Sequence, residues 1–368
     1  MSIRATIVLM FIGSLGWPAP RAFAQSSGGD LEKWEIEIHA GGLWPGQSTK
    51  ATTAMPPAGT DFTAPNGRPT RSVSSWYFGD GAVLLNDWAA AFTTIPRTQR
   101  ITPLDSMLNG TAVKHSDGAS VGVRVGRRLA PRFTVELNVD YGKSTLQLSG
   151  QALDDIEASR ATFANVFNEQ FNPALGGFVN SVVSSQSEID EGTGGQIAAI
   201  GALKMTIKRV GPLVPYVTGG LGSVFHYGRA PGVTLRGSYS MSPAFNPAVF
   251  FNENDTVTVR FARPDSAFAG IAGGGFTLKV SRRSGVRIDM RWHFTANAIE
   301  TEVNASPFVA KGTPAASLGS ATTLTVVFTN NVNLLSSLSG PAITSFKTRE
   351  GSGMQIDPVL TAGYFWGF

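Results

Sequence analysis

Strict alternation of apolar and polar residues dominates the chain. Trp34, Ile36, Ile38, Ala40 and Trp44 fall on one parity, and Glu35, Glu37 and His39 on the other. Phe133, Val135, Leu137, Val139 and Tyr141 alternate with Thr134, Glu136, Asn138 and Asp140. Val286, Ile288, Met290, Trp292 and Phe294 alternate with Arg287, Asp289, Arg291 and His293. A period of two places successive side chains on opposite faces of a strand, so each segment predicts a strand with one oily and one polar face. Weaker versions run over 119–129 (Arg124 on the polar parity), 196–208 (Lys204), 214–227, 268–281 (Lys279) and 359–368, for eight candidate strands. The phase of the glycine-rich 214–227 segment is not readable.

The joints between these segments alternate in length. Ala130-Pro131-Arg132, Val210 to Leu213 and Arg282 to Gly285 are tight, whereas about 46–117, 148–194, 229–265 and 299–357 are long. Short turns on one side and long loops on the other are the pattern of a membrane barrel. The expectation is therefore an all-β fold: an eight-stranded antiparallel up-and-down transmembrane β-barrel with long extracellular loops. The alternating run Thr322 to Phe328 keeps ten strands open as an alternative.

Period alone does not say which face meets water. Aromatic residues near the strand ends on the oily parity (Trp34, Trp44, Phe133, Tyr141 and Trp292) suit the interfacial girdles of a membrane barrel. The polar parity then lines the lumen. Glu35, Glu37, Glu136, Asp140 and Asp289 would face Arg124, Lys204, Lys279, Arg287 and Arg291 across a cylinder narrow enough for side chains to fill. Unpaired charge in such a space is costly, which predicts a salt-bridged, largely plugged lumen.

Composition narrows the alternatives. The 368 residues include no cysteine, which excludes disulfides and thiolate metal sites, and 15% are charged. Arg4, the apolar run Ile7 to Trp17 and Ala22-Phe23-Ala24 form a secretory signal, so residues 1–24 are expected to be removed and 25–368 to form the barrel. Loss of Arg4 and Arg21 lowers the formal charge from +4 to +2, which does not suggest a nucleic-acid binder.

The last segment, Val359 to Phe368, resembles the C-terminal signature of bacterial outer-membrane barrels, with Tyr364, Trp366 and the final Phe368 at alternating positions. Gly273 to Phe276 with Ser281 to Arg291, and Pro215 to Gly222, resemble strands of the small OmpA/OmpX-type barrel family. The resemblance implies recognition by the barrel-assembly machinery and an outer-membrane location in contact with its lipid. It covers the strands only, and no peptidoglycan-binding domain is expected after them.

The long joints hold further patterns. Leu153, Ile156, Phe163, Phe167 and Phe171 recur at helical spacing over 152–171, with Pro173 beyond, and Asn86 to Phe92 suggests a second short helix. Val233 to Met241 and Thr256 to Arg263 alternate, as a hairpin protruding from the barrel would. His115-Ser116-Asp117 brings hydrolase residue types together, but neighbours in a strand point to opposite sides and do not assemble a triad. With no convincing metal, phosphate or nucleotide motif, neither cofactor nor catalytic residue is expected. A structural or surface-interaction role, with loops binding an extracellular ligand, ranks first; a narrow porin is second and a membrane enzyme third.

Overall fold

The computed structural model describes residues 33–46, 56, 61–63, 69–83, 86, 100–108, 112–171, 179–243, 251–296, 299–306, 308–311, 326–328, 343–350 and 354–368. Eight strands close a barrel: β1 (Trp34–Leu43), β2 (Gly118–Ala130), β3 (Phe133–Lys143), β4 (Gly195–Thr206), β5 (Leu213–Tyr227), β6 (Ser266–Lys279), β7 (Ser284–Ala296) and β8 (Met354–Gly367). Each pairs antiparallel with its neighbours in the chain, and β8 closes on β1 with Ile38 opposite Tyr364. The closed count is eight, not ten. Val326–Phe328, inside the run that raised the alternative, instead pairs parallel with Pro69–Val73 away from the barrel.

The two parities separate as the chemistry of the residues requires. Ile38 is 54% exposed on the outside and Leu221 60%, whereas Glu136 is 1% and Arg287 2% exposed at the centre. An oily exterior around an ionic interior is the arrangement of a barrel bathed in lipid rather than water. Trp34, Phe133, Tyr364, Trp366 and Phe368 ring the tight-turn end of this surface. Trp44, Tyr141 and Trp292 lie toward the other, where Tyr141 stacks on Tyr227 with ring centroids 6.1 Å apart. At the tight joint between β4 and β5, Gly211 takes φ +60°, a left-handed conformation that glycine adopts without a Cβ clash. β8 starts five residues earlier than the alternation suggested and runs through Pro358, whose carbonyl accepts from the Trp44 amide at 3.0 Å.

The long joints do more than carry local helices. Strands Val179–Asp190, Gly232–Pro243, Phe251–Ala262, Ile299–Ala305 and Ile343–Glu350 lie side by side in one outer sheet, to which Phe308–Lys311 adds a short strand. The second and third form the hairpin that alternation suggested, but it is flanked on both sides and belongs to this sheet rather than to the barrel wall. Helix α1 (Gly150–Phe171) packs on the sheet, with the Ser149 hydroxyl accepting from the Ala152 amide at its start. Its buried side is Ala152, Ile156, Ser159, Phe163 and Val166; Leu153, read from the spacing as part of that side, is exposed. The side chains of Phe167 and Phe171, and the residues from Asp87 to Phe92, lie outside the described residues, while 79–83 are helical. Val73, Trp76, Tyr77, Leu104 and Met107 join Leu235, Val257, Phe261 and Val303 in a continuous core, so this outer layer has an interior of its own.

Asp255 sits in that interior, 1% exposed. The Ser75 hydroxyl and the Trp76 amide donate to its Oδ2 at 2.8 and 2.6 Å, and burial without a counter-charge pushes its carboxyl up to about 7. A carboxyl neutral in the folded chain and ionised in the unfolded one takes up a proton on folding. Outer-layer stability is therefore expected to fall as pH rises from about 4 to about 7, by roughly 4 kcal/mol at most, and to level off above. Denaturant titrations followed by tryptophan fluorescence between those values check the slope, which Asp255→Asn should abolish.

Candidate functional site

The lumen is the most chemically dense part of the chain. β1 presents Glu35, Glu37 and His39 inward, β2 Arg124, β3 Glu136, Asn138 and Asp140, β4 Lys204, and β7 Arg287, Asp289, Arg291 and His293. All sit on the inward parity of strands whose other parity is oily, so one alternation orients both sets.

Glu136 is the hub. Lys204 Nζ and Arg287 Nη1 lie 2.9 and 3.2 Å from its Oε1, and Arg291 Nη2 lies 3.3 Å from its Oε2. Arg287 reaches across to β1, at 2.7 Å from Glu35 Oε1 and 2.6 Å from Glu37 Oε2. Arg124 Nη1 is 2.9 Å from both Glu37 Oε1 and Asp289 Oδ2. Lys204 also pairs with Glu35. Asp289 accepts from the Tyr216 and Thr361 hydroxyls, each at 2.8 Å, and Asn138 Oδ1 accepts from Arg124 Nε at 2.5 Å and Arg291 Nη1 at 3.0 Å. Farther along the lumen His39 Nε2 and Asp140 Oδ1 are 2.5 Å apart. Most ions in the lattice thus have more than one partner, the condition under which buried charge is tolerated.

Long charged side chains need room on the opposite wall. Ala198, Ile200, Ala202, Val224, Ala269 and Ile271 line β4 to β6 with small or medium groups. Two glycines clear space directly: a Cβ at Gly122 would lie 2.2 Å from Asp140 Oδ1, and one at Gly363 would lie 2.7 Å from Glu37 Oε1.

One predicted member is placed differently. Lys279, read as a lumen base, is exposed at the tight-turn mouth and makes no ion pair among the described residues. Its parity is inward, but as the final residue of β6 it stands beyond the depth of the lattice. The mouth encloses a cavity of about 90 Å³ beside Glu35, Lys204, Arg287, Tyr216 and Phe365, well below the size of ordinary small-molecule pockets. Asn138 was on the polar parity but not singled out as a site residue. Tyr216, Thr361 and Phe365 also join the lattice, as uncharged side chains that alternation alone does not mark. Phe365 lies inside, with the Arg287 guanidinium 5.4 Å from its ring centroid. For Tyr216 no signal was available, because apolar residues occur on both parities of β5.

Outside the barrel, His115 Nδ1 faces Arg263 Nη1 at 3.4 Å, and the neighbouring Ser116 hydroxyl pairs with Thr145 Oγ1 at 3.0 Å. Burial and the adjacent guanidinium push the His115 imidazole down to about 3. His115 and Ser116 are thus engaged with different partners, Arg263 and Thr145, rather than with each other. Among the described residues no cluster of three or more metal-binding side chains occurs.

The chain folds as a closed eight-stranded antiparallel β-barrel with an oily exterior and an ionic lumen. No protein-family model and no curated protein matches its sequence. Among solved structures it is similar to the outer membrane protein OprG from Pseudomonas aeruginosa, at 9% identity and a TM-score of 0.35, over 92% of this chain and 98% of that one. It is also similar to the outer membrane protease OmpT from Escherichia coli, at 8% identity and a TM-score of 0.29, over 94% and 99% of the two chains. Likeness of that degree carries no statement about activity; the fold stands on the closed strand ladder itself.

Removing the hub tests the lattice. Glu136→Ala leaves Lys204, Arg124, Arg287 and Arg291 short of their shared counter-ion and is expected to cost about 3–5 kcal/mol of barrel stability. Asn138→Ala removes only hydrogen bonds and should cost about 1–3 kcal/mol. The temperature at which the folded band converts to the unfolded one on cold and heated gels reads both, with the first shifted further.

Proposed function

We propose that this is an outer-membrane protein whose barrel is a sealed anchor and whose outer layer is the working surface, in a structural or interaction role rather than as a pore or an enzyme. The observation that carries the reading is the multiply paired lattice from Glu35 to Asp289, which fills the lumen with fixed ions. Tight turns face the periplasm on this reading, and the separately cored outer layer faces the exterior, where an extracellular ligand would meet it. The aromatic run Tyr364, Trp366 and Phe368 serves assembly by the barrel-assembly machinery, and residues 1–24 serve export and are removed.

Two measurements test it. Purified protein in planar bilayers is expected to show no steady conductance; a large, stable open level would overturn the sealed-anchor reading in favour of a narrow porin. Intact mass of the protein recovered from the outer-membrane fraction is expected to correspond to a chain beginning at Gln25.

A further inference from the structure

The charges of the barrel are unevenly distributed between its ends. The β2–β3 turn carries Arg127, Arg128 and Arg132, and the β4–β5 joint carries Lys208 and Arg209. The β6–β7 turn carries Lys279, Arg282 and Arg283, and Lys33 precedes β1 at the fourth position around the rim. Not one acid occurs in the segments 127–133, 207–213 or 279–285. With 30 basic and 26 acidic residues in the whole chain, this concentration leaves the remainder net acidic.

Position identifies the partner. Each cluster adjoins an exposed apolar side chain of the barrel exterior: Leu129 beside Arg128, Ile207 beside Lys208, Val280 beside Lys279. The Arg127 guanidinium lies 5.4 Å from the centroid of the girdle residue Trp34. Cations directly beyond an oily band and level with its aromatic belt stand where phospholipid phosphates stand. They also occupy all three tight turns around the circumference, as a surrounding lipid annulus requires, whereas a docked protein would meet one side.

We infer that the tight-turn rim binds the headgroups of anionic phospholipids, selecting them over zwitterionic ones in the leaflet it faces. The inference rests on the membrane-spanning reading above. Its test uses the protein folded into mixed bilayers of phosphatidylcholine and phosphatidylglycerol, with trace spin-labelled forms of each, and measures the motionally restricted fraction. The labelled phosphatidylglycerol is expected to associate about fivefold more strongly at low ionic strength, with the preference collapsing toward unity in about 1 M salt. Replacing one exposed cation per turn (Arg132→Glu, Lys208→Glu and Arg282→Glu together) should abolish the preference; the corresponding triple glutamine variant should halve it and guards against misfolding of the first. Equal association of the two lipids with the unaltered protein, or a preference unchanged in both variants, overturns the inference while leaving the membrane reading intact. Failure of the unaltered protein to insert into any bilayer, read as loss of the heat-modifiable band, overturns both.

Discussion

Buried charge in a narrow cylinder is the constraint on which the rest of this structure depends. An eight-stranded barrel leaves space for side chains and little else. An ion placed there loses its hydration and must recover the loss from partners. The chain meets this by making each central ion serve several others. Glu136 is shared by Lys204, Arg287 and Arg291, and Arg287 in turn spans to Glu35 and Glu37 on β1. The lattice therefore ties β1, β2, β3, β4 and β7 together through the interior, in addition to the ladder that joins them around the wall. Bulk on one side is matched by its absence on the other, with alanines on β4 to β6 and glycines at 122 and 363 leaving the volume that the guanidinium and carboxylate groups occupy.

The same constraint governs the exterior. With ions committed to the inside, the outward parity is free to be uniformly oily, and the strands pair with one another around a closed ladder, as a span through hydrocarbon requires. Once the barrel has fixed the points where each long joint leaves and returns, the joints are held side by side. Their strands then pair with one another, and helix α1 covers the resulting sheet. The junction is polar: Arg263 Nη2 donates to the Ser144 carbonyl at 3.2 Å, and Thr193 and Arg229 exchange backbone hydrogen bonds at 3.1 and 3.0 Å. Seating of the outer layer thus relies on backbone and guanidinium contacts, while its cohesion comes from its own apolar core and the buried Asp255.

Much of the barrel was legible in the residues because a strand's alternation is a local property. Nine consecutive side chains such as Phe133 to Tyr141 already declare two faces, and the girdle aromatics with the ionic parity declare which face is outside. Membership of the lumen followed for Glu35, Glu37, Arg124, Glu136, Asp140, Lys204, Arg287, Asp289 and Arg291 from parity alone. Depth did not. Lys279 has the parity of a lumen residue and the height of a rim residue, and only the stagger of β6 against its neighbours distinguishes the two.

What the sequence by itself determined was the number of barrel strands read from strong and weak alternation, their two faces, and the sidedness of the joints. Tertiary structure alone decided which ion meets which, since Arg287 and Glu35 are 252 positions apart and no periodicity links them. It also decided the inward placement of Tyr216 and the order of the outer sheet, in which the strand ending at Ala305 lies between those ending at Ala262 and Glu350. The physical reason is the same in each case. Facing is set by backbone geometry within two residues, whereas partnership is set by where a closed barrel returns distant segments to the same place.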